Sequence, residues 1–357
     1  MTAISNDFRP NALAAWIGSL PMDDHDSAVR LMFDYTPDIP LWVQLPKFAS
    51  EGMVAQFAKG MPGLTRKDGR IFVDAEDGGF DEEMLSFFEA YMAVDEGSDD
   101  IAQSRFALHK DDAPGFFTFV RELDKGEYSP AAVKGQVTGP FTFGTGLVDH
   151  EGRAVFYNEQ LREAAVKLIA MKARWQVNQL KKYGVPVIVF LDEPALAGFG
   201  SSAFISVSRS EIDECFAEVI EEIHNEGGLA GIHVCANAEW SVILESGADI
   251  VSFDAYSYFD KFMLYSDQLK RFLERGGILA WGIVPTGDTE AIESQNPESL
   301  HKLWQQEVSG IEGLGFDREQ IVSQSLITPS CGTGSLSLEH AMRVIEMNRR
   351  LSDMIRT

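Results

Sequence analysis

LAGIHVCANAEW, Leu229–Trp240, reads as an apolar run, a His-x-Cys pair, a small polar turn and the start of a helix. A run without polar alternation is what a strand buried on both faces requires, and such strands belong to parallel sheets. Moving outward, the same unit recurs. Upstream, the helical pattern RSEIDECFAEVIEEIHNEGG follows the run PVIVFLDEPAL, and the long helix NEQLREAAVKLIAMKARWQVNQLKKYG follows AAVKGQVTGPF. Downstream, AEWSVILESG leads to ADIVSFDAY, DQLKRFLERGG to ILAWGIVPTG, and a helix from about residue 297 to 313 to SLITPSCGTG; the helix SLEHAMRVIEMNRRLSDMI ends the sequence. Toward the start, NALAAWIGSLP and IPLWVQLPKF supply two more strands, separated by the helix DDHDSAVRLMFDY with Asp23 or Asp24 suited to cap it. The runs number eight, each followed by helix, which predicts an α/β protein, a single (β/α)8 TIM barrel spanning residues 1–357. Residues about 65–130 read as an inserted, mainly helical segment after the second strand. A doubly wound open sheet ranks lower, because no glycine fingerprint of the dinucleotide type follows the first strand.

In the strand of Leu229–Trp240, His233 and Cys235 lie two residues apart and so share a face. By itself the pair is weak, since a buried cysteine is usually a small hydrophobe. Its weight comes from where the other polar residues fall. A barrel places its chemistry at the C-terminal ends of the strands. Those ends carry Ser19, Gln44, Thr138, Asp192, Glu193, His233, Cys235, Asp254 and Cys331. Two thiolates, an imidazole and a carboxylate form a set that zinc accepts in tetrahedral geometry, so His233, Cys235, Asp254 and Cys331 are the candidate metal ligands. Asp192 and Glu193 read either as carboxylates that take a cationic substrate group or as a pair satisfied by loop N–H groups or by Arg and Lys neighbours.

Composition narrows the classes. With 45% apolar and 24% charged residues the chain is an ordinary globular one. A net charge of −25 opposes binding to nucleic acid or anionic lipid. No apolar run reaches the roughly 20 residues that span a bilayer, and the opening MTAISNDFRP lacks a signal pattern, so a cytoplasmic protein is expected. The three cysteines suit a reducing compartment rather than a disulfide framework, and Cys215 sits in a helical pattern as packing.

The strand exits WIGSLP, VFLDEPAL, IHVC, ADIVSFD and PSCG, in this order, resemble the C-terminal catalytic barrel of cobalamin-independent methionine synthase. That barrel shares a superfamily with uroporphyrinogen decarboxylase and with zinc methyltransferases that act with corrinoid proteins. The resemblance implies a zinc site at His233, Cys235 and Cys331, with Asp254 where methionine synthase has a glutamate. It implies a substrate site at Ile17, Gly18 and Ser19, and at Asp192 for an ammonium group. Two features depart from that enzyme. The second strand ends in QLPKF, with Lys47 nearest, where a His-Gly-Glu stretch stands in the family, and WGIVPTG has no histidine after the seventh strand. The family's N-terminal barrel, which helps bind folate, has no counterpart in these residues. The expected activity is zinc-dependent methyl transfer to a thiol, with Asp192 and Glu193 as catalytic groups and Gln44 and Thr138 also lining the substrate site. Methylcobamide is the expected donor and a corrinoid carrier protein the expected partner. Alternatives are a metal-free decarboxylase like uroporphyrinogen decarboxylase, or a non-catalytic binding barrel with structural zinc.

Overall fold

The computed structural model describes residues 8–357; most of the MTAISNDFRP opening lies outside them. Its strands are β1 (Leu13–Ala14), β2 (Leu64–Lys67), β3 (Arg70–Val73), β4 (Val133–Thr138), β5 (Val187–Asp192), β6 (Leu229–Val234), β7 (Ile250–Phe253), β8 (Ile278–Val284) and β9 (Ser325–Pro329). Seven of them form one curled parallel sheet in the order β1-β9-β8-β7-β6-β5-β4, flanked by helices, while β2 and β3 pair separately as a hairpin. No helix among the described residues is long and apolar enough to cross a membrane.

Local sequence rules account for the helices. Asp24 caps His25–Tyr35 through the N–H groups of Asp26 and Ser27, at 3.2 and 3.3 Å. Ser208 and Glu211 close a capping box on Arg209–Asn225, satisfying donors that a bare helix end leaves orphaned. The segment between the hairpin and β4 holds the helices Phe80–Asp95 and Pro114–Leu123.

The expected second strand, IPLWVQLPKF, forms no ladder. It makes isolated parallel bridges instead, Leu41 with Lys134 of β4 and Gln44 with Ser19 beyond β1. Pro40 and Pro46 bracket it and have no N–H to give. Side-chain amides take over the missing links. Gln136 Nε2 donates to the Trp42 carbonyl at 3.0 Å, Gln176 Nε2 to the Gln136 carbonyl at 2.9 Å, and Trp42 Nε1 to Gln176 Oε1 at 2.9 Å.

Two apolar clusters lie on opposite faces of the sheet. The larger packs the helices against it. The smaller is contributed strand by strand at alternate positions, including Leu13, Ile188, Phe190, Leu229, Ile250 and Leu326. Within it Lys134 is fully buried, its Nζ donating to the Ile17 carbonyl at 2.5 Å and standing 4.5 Å from the centre of the Phe190 ring. Gly231 makes room for that ring, since a Cβ there would lie 2.3 Å from Phe190 Cδ1. Gly231→Ala is therefore expected to cost about 1–3 kcal/mol by overpacking, read as a lower urea midpoint. Gly287→Ala, where a Cβ meets nothing within 4 Å, is expected to leave the midpoint unchanged.

Candidate metal centre

Two strand ends converge. β6 carries His233 and is followed at once by Cys235, while Cys331 follows β9 by two residues. One donor atom from each of His233, Cys235 and Cys331 lies within 4.8 Å of the others. His233 is buried; its Nδ1 is 2.9 Å from Ser252 Oγ on β7, and its Nε2 is shielded from solvent with no hydrogen-bond partner. A buried nitrogen left without a hydrogen-bond partner in a group that also holds two sulfurs is what a metal-ligating imidazole looks like before its ion is considered. The sulfurs are unequal. The neighbouring Cys331 and His233 hold Cys235 well below the ordinary thiol range, while Cys235 and burial push Cys331 up. A soft pair of sulfurs with one imidazole fits zinc.

Asp254 does not join this group. It caps the helix Ala255–Phe262, its Oδ1 accepting from Ser257 N at 2.8 Å. Burial pushes its carboxyl up to about 6, and it remains within electrostatic reach of Cys235 and His233. Asp192 stands on the other side. It too is pushed up to about 6 by burial, against the pull of His233 and Lys134, and its Oδ1 is buried without a partner.

Glu193 turns away from these groups. Its carboxylate accepts from Phe141 N at 2.9 Å, Thr142 N at 2.8 Å and Thr142 Oγ1 at 2.6 Å, so it closes the N-terminus of the helix Pro140–Gly146. Of the two readings of the Asp192–Glu193 pair, loop N–H satisfaction describes Glu193. Gln44 donates to Gln56 Oε1 at 2.6 Å, and Thr138 Oγ1 donates to the Met53 carbonyl at 2.8 Å, so both polar groups are engaged within the protein. Ile17 offers its carbonyl to Lys134. Gly18 abuts the Gln44 side chain, a Cβ there meeting Oε1 at 2.9 Å. Ser19 belongs to the wall of the site. Its Oγ accepts from Gly334 N at 3.2 Å and its carbonyl from Thr333 N at 3.1 Å, which ties the first strand exit to the loop after Cys331.

Three residues near the site went unread in the sequence. Ser252 and Lys134 occupy inward positions on a period of two, in VSFD and VKGQ, which the uniform burial of those runs conceals. Glu307, on the helix Pro297–Glu312, carries no such signal. It is 6% exposed with Oε2 unpartnered among the described residues, and burial, then Asp260 and Asp254, pushes it up to about 9.

No known family model matches the chain, and no curated protein matches it in sequence. Its fold is found among solved structures. A methyltransferase from Methanosarcina mazei superposes with a TM-score of 0.53 at 12% identity, over 91% of this chain and 84% of that one. The superposition on the catalytic modules of a pneumococcal exo-beta-D-N-acetylglucosaminidase is looser, with a TM-score of 0.45 at 10% identity over 96% and 85% of the two chains. At such identities the likeness is one of fold.

Proposed function

We propose that this protein is a zinc-dependent methyltransferase that moves a methyl group onto a thiol, with a methylcorrinoid as donor, and that residues 41–44 complete its sheet as the second position of an eight-position barrel. The observation that carries the reading is the meeting of His233, Cys235 and Cys331 at two strand ends, with His233 Nε2 unpartnered. The methyltransferase named among the solved structures agrees with it.

Bound zinc would supply a positive centre that lowers the pKa of a substrate thiol from near 8.5, making the nucleophilic thiolate available at neutral pH. His233 Nε2 and the two cysteine sulfurs would hold it. A structural site is closed by four protein ligands, whereas a catalytic one keeps a position open. Asp254, held to its own helix by Ser257 N, leaves such a position to the substrate sulfur. Asp192, half-buried with Oδ1 shielded and unpartnered beside the cluster, is placed to take a cationic group of the acceptor.

The test is zinc content and X-ray absorption on protein purified without chelators, before and after adding small thiols, with thiol-dependent demethylation of methylcobalamin as the activity. One zinc per chain with two sulfur neighbours, rising to three with thiol, is the expected result. Metal-free protein that gains no zinc on titration would rule the reading out and favour the decarboxylase or binding alternatives.

A further inference from the structure

We propose that Ser252 is the positioning residue of the metal centre: its hydroxyl oxygen accepts the Nδ1 proton of His233 and thereby presents Nε2, lone pair free, to the metal. This rests on the zinc reading above.

Ser252 is the register partner of His233 on the neighbouring strand, and their side chains share one face. Its Oγ lies 2.9 Å from Nδ1, the residue is 1% exposed, and no other hydrogen bond to that hydroxyl exists among the described residues. A neutral imidazole has one donor nitrogen and one acceptor. With the proton on Nδ1, it is donated to Ser252 and the lone pair of the buried Nε2 is left free for a metal. With the proton on Nε2, Ser252 would donate to Nδ1 and the buried Nε2 would present an N–H in place of a lone pair to the metal. The contact also fixes the ring plane, because His233 and Ser252 both stand on ladder residues whose backbones cannot turn independently. Partners of this kind raise ligand basicity and lock orientation, and their loss commonly costs 10–100-fold in metal affinity.

The experiment compares zinc dissociation constants, by chelator competition, for the parent protein, Ser252→Ala and Ser252→Thr, together with nitrogen-15 spectra of the zinc-loaded, histidine-labelled parent. Ser252→Ala is expected to weaken zinc about 10–100-fold while metal-free thermal stability and circular dichroism stay at the parent's values, and Ser252→Thr to recover most of the loss. The parent spectrum is expected to show His233 coordinated through Nε2 with a slowly exchanging Nδ1–H. Zinc binding by Ser252→Ala equal to the parent's, or coordination of the parent through Nδ1, overturns the inference and leaves the zinc reading standing. A parent that binds no zinc overturns both. Should Ser252→Ala fail to fold, the parent's spectrum still decides between the two nitrogens.

Discussion

His233→Ala protein is expected to retain essentially no zinc after purification, and to lose thiol methylation with it. Zinc held by a complete ligand set is worth roughly 10–16 kcal/mol at neutral pH. Shared among four ligands, that is about 3 kcal/mol each, or on the order of a hundredfold or more in affinity. Cys331→Ala is expected to behave alike, since its sulfur belongs to the same group within 4.8 Å. Cys215→Ala is the matched control. That cysteine lies on the helix Arg209–Asn225, 5% exposed, with burial pushing its thiol up to about 12, so it offers no thiolate to a metal. Metal analysis of the three variants side by side decides the matter. Zinc equal to the parent's in His233→Ala would contradict the assignment of this residue.

Glu307→Gln is expected to make the protein more stable in alkaline solution. The carboxyl rises from an ordinary 4.5 to about 9 in the folded protein, first through burial and then through the nearby Asp260 and Asp254. Over that interval the folded chain keeps a proton that the unfolded chain releases. The associated stability is therefore fully present below 4.5 and is lost as pH rises toward 9, by up to about 1.4 kcal/mol per pH unit. Glutamine keeps the shape and cannot ionise, so the variant escapes this loss. Between pH 6 and pH 8 its advantage over the parent should widen by on the order of 2 kcal/mol, a few degrees in Tm. Thermal melts at several pH values read it directly, and parallel curves for the two proteins would show that Glu307 is not the group responsible.

What the sequence discloses about this molecule is what local rules govern. The uniform apolar runs of β5 to β9, the cap at Asp24 and the capping box at Ser208 depend on residues a few positions apart, and the structure has them where the pattern puts them. The His-x-Cys spacing and the strand-end position of Cys331 were equally legible. The second strand was not, because it meets β4 through one bridge, Leu41 with Lys134, and through side-chain links from Gln136 and Gln176, the latter 134 positions from the Trp42 it binds. Glu193 was ambiguous for the same reason, its partners Phe141 and Thr142 lying 52 and 51 residues away. Asp254 illustrates a competition that sequence can pose but not decide. The same short carboxylate suits a metal or an N-cap, and the N–H of Ser257, three residues on, engages it.

The Phe190 ring and the Lys134 ammonium, stacked beneath Asp192, also bear on traffic. With both fully buried among the inward side chains, the concave side of the sheet is a packed floor, and whatever reaches the sulfurs arrives and departs by the strand-end side. In the methyl transfer proposed above, two reactants of very different size would share that one door. A small thiol seated against His233, Cys235 and Cys331 would lie under a bulky methyl carrier, so the proposal predicts acceptor first and carrier second, and a carrier docking early would keep its own acceptor out.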